Sequence, residues 1–129
     1  MARLLESRRY WLATAGRSGV PHLAAVWGVW NGAALIFSTG RTTRKALNLG
    51  QRQECSIATE SAEEAVVIQG SAGELRDQRL VAAADAAYVA KYGSSALIDD
   101  SPLFAVRPRS VIGILDSAAS VLPTRWRFY

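Results

Sequence analysis

The chain has 129 residues, half of them hydrophobic and a fifth charged, which suits one folded domain over 1–129 and excludes a disordered chain or separate cofactor and substrate domains. A formal charge of +4 and an isoelectric point near 9.7 favour anionic partners such as phosphate-bearing cofactors, acidic metabolites or nucleic acid. One cysteine precludes an intramolecular disulfide, and with neither a signal-like apolar run after Met1 nor a membrane-length segment, a cytoplasmic protein without a membrane span is expected.

Leu4, Leu5 and Arg8 stand at helical spacing before a strand-like run from Tyr10 to Ala15, and Gly16 to Gly19 reads as a turn. From Pro21 to Trp30 the chain is apolar at alternate positions on both faces, which predicts a strand covered on both sides. Asn31-Gly32 predicts a type I′ hairpin returning through Ala33 to Thr39, so those two strands should be antiparallel neighbours. Thr42 or Thr43 can cap a helix through Leu49, with Gly50 placed to end it. Cys55–Thr59 and Ala65–Arg76 resume strand character. Asp77 can cap a further helix in which Leu80, Val81, Ala84, Tyr88 and Tyr92 form an apolar stripe before Gly93 stops it. A Ser/Asp loop follows. Then Leu103–Val106, Val111–Leu115 and Arg125–Tyr129 read as strands, punctuated by Pro102, Pro108 and Pro123, with Arg107 and Arg109 in a solvated basic loop.

Six or seven strands with about three short helices predict an α+β fold, mainly an antiparallel barrel or sheet. The chain contains neither a Gly-x-Gly-x-x-Gly run nor a Walker-type loop.

The segment Phe37-Ser38-Thr39-Gly40-Arg41-Thr42-Thr43-Arg44-Lys45-Ala46-Leu47-Asn48-Leu49 ends a strand in two hydroxyls and starts a helix beside two cations. Free N–H groups, the helix dipole and formal charge together outline a phosphate site, although two solvated cations on an exposed helix explain the same pattern. This segment resembles the flavin-phosphate motif of the pyridoxamine 5′-phosphate oxidase-like split-barrel superfamily, with Thr39, Thr43, Arg44, Lys45 and Asn48 at matching positions. Pro21 to Trp27 is similar to that family's ring-binding strand. The likeness continues through Val66–Ala72, Lys91-Tyr92-Gly93 and Thr124–Phe128.

The short length, Trp27–Trp30 and Thr124–Phe128 look closest to the flavin/deazaflavin oxidoreductase branch. His22 and Trp27 replace the Arg and Lys of the true pyridoxamine phosphate oxidases, and the C-terminal Arg-x-His is absent, which points away from vitamin B6 oxidation. Arg52-Gln53-Glu54 also replaces an Asn-Pro or Asp-Pro.

The resemblance implies a split β-barrel homodimer with the cofactor, coenzyme F-420 (a deazaflavin) or FMN, between subunits, and hydride transfer to a small unsaturated substrate. It implies that the backbone of Val26, Trp27 and Gly28 lines the ring, that Ser38 and Thr39 bond the ribityl chain or phosphate, that Thr43 and Asn48 complete the motif, and that Arg44 and Lys45 neutralise the phosphate. Arg125 and Trp126 would close the pocket. No catalytic nucleophile is expected. The excess of cations suits a coenzyme with a polyanionic tail, so F-420 is placed before FMN.

His22, the sole imidazole, excludes a His-rich metal site and is read first as a hydrogen-bonded strand residue, second as a proton donor. Cys55 reads as a small core residue, and the tryptophans as core or dimer interface. A non-catalytic carrier of a flavin, deazaflavin or haem-related ligand is the alternative of another class. Nucleic-acid recognition rests on net charge alone and ranks last.

Overall fold

The computed structural model describes residues 6–116 and 121–127, with side chains through Ile114. Eight strands make one antiparallel sheet: β1 (Tyr10–Ala15), β2 (Pro21–Val26), β3 (Val29–Trp30), β4 (Leu35–Ser38), β5 (Glu54–Thr59), β6 (Glu64–Glu74), β7 (Leu103–Asp116) and β8 (Val121–Arg127). Their order is β2-β1-β5-β6-β7-β4-β3, with β8 paired to β7 off that path. Among the described residues the sheet is punctuated by two full helices, α1 (Arg44–Gln51) and α2 (Gln78–Tyr92). Of the helix expected around Leu4 to Arg8, Leu4 and Leu5 lie outside the described residues; Glu6 is helical, and Ser7 and Arg8 are not.

β2 and β3 are opposite edges of this order, yet only Trp27 and Gly28 separate them in the chain. Three peptide steps span at most about 11 Å, so the sheet must curl until its edges meet at Trp27-Gly28. That closure is the seam of a split barrel. Tyr10, Leu12, Leu35, Phe37, Ile57, Ile68, Val106 and Val111 fill the barrel interior, with Phe37 and Phe104 stacked at 5.6 Å. Outside the sheet, Ile36, Leu103 and Ala105 pack with Ala84 and Tyr88 of α2. β4 is therefore the strand covered on both faces.

Several expectations are corrected. Pro21–Trp30 is not one doubly covered strand: it breaks at Trp27-Gly28, and β2 is an edge strand leaving Leu23 62% exposed. The Asn31-Gly32 hairpin joins β3 to β4, but only Gly32 of the pair has positive φ. Asn31 instead works through its side chain, whose Oδ1 accepts from the Ala33 and Ala34 amides at 2.8 Å. Gly50 does not end α1, which runs to Gln51 and stops where Arg52 turns extended, its amide donating to the Asn48 carbonyl at 2.8 Å. Thr43 is the residue that caps α1, as Asp77 and left-handed Gly93 cap α2. Leu80, placed on the apolar stripe of α2, is exposed.

Arg107 to Arg109 are strand, not loop. β7 runs unbroken through Pro108 because a bulge opposite Gln69/Gly70 removes the need for a proline N–H in the ladder. The last strand likewise starts before Pro123 rather than after it.

The C-terminal turn of α2 grips the seam. The Tyr92 hydroxyl stands 2.8–2.9 Å from the Arg8 and Gly28 carbonyls and accepts from the Gly28 amide at 2.9 Å. The Lys91 ammonium donates to the Gly28 carbonyl and the Tyr10 hydroxyl, both at 2.9 Å.

Burial and the neighbouring Arg8 guanidinium lower Lys91 to about 8, against an opposing pull from Glu60. An unfolded lysine keeps its proton to about 10.5. Between those values the unfolded chain binds more protons, so stability rises with pH. The phenols act in reverse: burial raises Tyr88 to about 12 and lifts Tyr10 and Tyr92 above their ordinary range. Above pH of about 10 the unfolded tyrosines ionise first and stability falls. The buried Cys55 thiol, raised from about 9.0 to about 11, pulls the same way as the phenols, so denaturant midpoints are expected to climb from pH 8 to about 9, level off, and drop above about 10. Lys91→Met should flatten the climb and keep the drop, whereas a wild type that only declines above pH 8 would contradict the assignment.

Candidate functional site

An open groove of about 600 Å³ runs between the seam, the end of β4, the start of α1 and the loop after α2. That volume is in the usual range for small-molecule and cofactor sites. Ala25, Val26 and Trp27 form one wall; Ser38, Thr39, Thr43 and Lys45 form another; Tyr88 and the loop from Ser94 to Ser101 complete it.

The polar wall follows from local sequence. β4 runs out of apolar residues at Ser38-Thr39 and Gly40 lets the chain turn, so Thr43 reaches the helix cap. Its hydroxyl donates to the Gly40 carbonyl at 2.9 Å, accepts from the Ala46 amide at 3.3 Å and lies 2.9 Å from the Thr39 hydroxyl. The Leu47 amide is taken by the Thr43 carbonyl, which leaves the Arg44 and Lys45 amides as the first N–H groups of the helix. Among the described residues, neither Arg44 nor Lys45 is held in an ion pair. A half-buried lysine in a groove lined by a helix N-terminus and two hydroxyls is a constellation for a phosphate or carboxylate.

The groove thus brings together Val26, Trp27, Ser38, Thr39, Thr43 and Lys45. Of the five other expected residues, three stand elsewhere and two have side chains outside the described residues. Gly28 is buried and its N–H and carbonyl are used by Tyr92 and Lys91. Arg44 is exposed on α1 and does not line the groove. Asn48 faces inward and donates to the Thr14 hydroxyl at 3.1 Å, tying α1 to β1. Arg125 pairs with Ile112 through the backbone, and Trp126, beside it, with Val111; their side chains lie outside the described residues.

Trp27 gives one face of its indole to Tyr92, with centroids at 4.6 Å and planes 8° apart. His22 sits opposite Thr14 on β2, but its Nδ1 is buried without a hydrogen-bond partner, so the hydrogen-bonded reading is corrected on that nitrogen. Cys55 is a core residue whose thiol burial pushes up to about 11, with Glu54 adding to the rise, which keeps it protonated and unreactive. No helix among the described residues is long and apolar enough to cross a membrane.

Residues not anticipated in the groove are Tyr88, Ser94, Ser95, Ala96, Ile98, Asp99 and Ser101. Tyr88 is part of the apolar stripe of α2, and nothing in that periodicity tells a core phenol from one whose hydroxyl reaches a site. The loop is anchored by Asp85, whose Oδ1 accepts from the Ser95 hydroxyl and the Ala96 amide, both at 2.7 Å. Ile98 and the left-handed Asp99 therefore stand at the groove edge.

Comparison with known proteins agrees with this architecture. Solved structures of the same fold include the haem storage protein HutZ from Vibrio cholerae, at 21% identity over 80% of this chain and 82% of that one, with a TM-score of 0.70. A haem binding protein from Mycobacterium smegmatis matches at 23% identity and a TM-score of 0.77, over 95% of this chain and 55% of its own length. An F420 reductase matches at 20% identity and a TM-score of 0.67, over 84% of this chain and 92% of that one. No curated protein matches by sequence. The family pattern described as pyridoxamine 5′-phosphate oxidase matches residues 1–114, nearly the whole described fold. With the curled antiparallel sheet and its seam on the page, the chain belongs to the pyridoxamine 5′-phosphate oxidase-like split-barrel family.

Proposed function

We propose that this chain is an oxidoreductase binding a phosphate-bearing deazaflavin or flavin in the groove, coenzyme F-420 in first place and FMN in second. The observation that carries the reading is Lys45, Thr39 and Thr43 gathered at the start of α1, facing a wall of Ala25, Val26 and Trp27. A planar ring suits the apolar wall and a phosphate the cationic one. When bound, such a cofactor supplies hydride chemistry. The protein's part is placement: Lys45 and the first amides of α1 hold the anion, Ser38 and Thr39 offer hydroxyls, and the seam fixes the wall. The F420 reductase among the fold neighbours and the +4 charge support F-420.

The working unit is a homodimer. β2 and the residues flanking it leave Val20, Leu23 and Trp27 exposed along an edge, and burying them against a second copy adds apolar area that a small domain lacks. On β7, the partner of Trp126 is eight residues from the partner of Ser38, about 26 Å of strand. We therefore assign Arg125 and Trp126 to the groove of a second copy.

Non-catalytic ligand carriage is the second reading, favoured by the two haem-associated fold neighbours. The test is calorimetric titration of cofactor-stripped protein with F-420, FMN and haem, with native mass and an acceptor panel measured alongside. Preferential F-420 binding by a dimer with hydride transfer is expected. A yellow FMN-loaded protein moves FMN to first place, tight binding without turnover favours the carrier, and a monomer that binds none of the three sinks the proposal.

A further inference from the structure

Among the described residues, Tyr88 is the one side chain that engages the backbone of both principal walls of the groove. Its hydroxyl donates to the Trp27 carbonyl at 2.7 Å and accepts from the Ser38 amide over a longer 3.4 Å. Trp27 belongs to the apolar wall at the seam, and Ser38 begins the polar wall that continues through Thr39 and Thr43 to Lys45. These walls come from strand ends with no direct pairing: β2 pairs with β1, while β4 pairs with β3 and β7.

The phenol is 4% exposed, packed against Ile36, Ala84 and Leu103, so it is not free to swing. The same end of β4 is tied to the loop after α2, where the Ser38 hydroxyl donates to the Ala96 carbonyl at 2.9 Å. Tyr92, one turn further along α2, holds the Gly28 amide beside the seam and stacks on the Trp27 indole. The helix thus acts as a rigid strut, and Tyr88 is its contact with both sides.

We infer that Tyr88 is a positioning residue: its hydroxyl sets the separation between the Trp27 wall and the Ser38–Lys45 wall, and hence favours ligands that fill both at once. This rests on the proposed use of the groove for a ring joined to a phosphate. A buried phenol with both hydrogen-bonding functions engaged is not available as an acid, and burial holds it protonated. Its contribution is spacing rather than proton transfer. Misplacing one wall weakens a ligand that must touch both and leaves a ligand needing one almost untouched.

The test uses Tyr88→Phe, which keeps the ring and its packing, titrated with FMN and with riboflavin, the same ring without phosphate. The expected result is about a tenfold loss for FMN and less than about twofold for riboflavin, in line with one net hydrogen bond. Amide exchange at Ser38 should also quicken. An equal loss on both ligands would mean a merely structural role and overturn the inference, as would unchanged affinity for both. If wild type binds neither of these nor F-420, the functional reading fails by itself. Ser38 exchange in the variant then decides the strut separately: faster exchange upholds it and unchanged exchange overturns it.

Discussion

Gly70→Ala is expected to lower the melting temperature by about 10–20 °C, or to prevent accumulation of folded protein. A β-carbon built on Gly70 falls 2.0 Å from the Arg107 carbonyl oxygen, 2.9 Å from its carbon and 3.1 Å from the Pro108 α-carbon. All three are backbone atoms, so no side chain can rotate aside. The two longest strands, β6 and β7, must separate at the bulge that lets Pro108 sit within β7. A displacement of that kind costs about 3–5 kcal/mol, against a total stability of about 5–15 kcal/mol. Gly50→Ala is the control. Gly50 lies in the last turn of α1 with nothing within 4 Å of the added carbon, and alanine there should be neutral or stabilising by up to about 1 kcal/mol. Thermal unfolding of both variants decides the matter: a Gly70→Ala protein melting within a few degrees of wild type would show that the bulge does not need the close approach.

What local sequence reveals and what it hides both follow from range. Thr43, Asp77 and Gly93 were legible as caps because a cap is decided by contacts within four residues. The Asn31-Gly32 hairpin was legible for the same reason, though the part played by Asn31 was misassigned to its φ. The break at Trp27-Gly28 was not legible. Pro21 to Trp30 is continuously strand-like, and only closure of the sheet, which makes β2 and β3 opposite edges, demands a kink there. Pro108 misled in the opposite sense: proline normally ends a strand, and the bulge that accommodates it is set by Gly70, far away in sequence.

The site divides in the same way. Ser38, Thr39, Thr43 and Lys45 come from one short segment, so a strand end leading into a capped helix is enough to gather them. Asn48 belongs to that segment as well, but its position on α1 turns it inward to Thr14, which a motif match does not reveal. Tyr88 and the Ser94–Ser101 loop enter the groove only through the packing of α2 on β4. Periodicity marks the buried side of a helix and not where a hydroxyl at its rim will point.

Lys45→Ala is expected to weaken FMN or F-420 binding by tenfold to a hundredfold while leaving the fold intact. Lys45 lines the groove and, among the described residues, has no ion pair whose loss would leave a buried charge behind. A charge-assisted hydrogen bond to a phosphate is worth about 1.5–3 kcal/mol, which converts to roughly that range of affinity. Arg44→Ala should cost only about twofold to threefold: Arg44 is exposed, outside the groove lining, and screened by salt. Riboflavin affinity should be unchanged in Lys45→Ala, because the ammonium has no phosphate to meet. Isothermal titration of wild type and both variants with FMN and riboflavin separates these effects, and unfolding midpoints guard against a lost fold. A Lys45→Ala protein that binds FMN as wild type does would place the anion elsewhere and remove the basis for reading the start of α1 as the phosphate end of the groove.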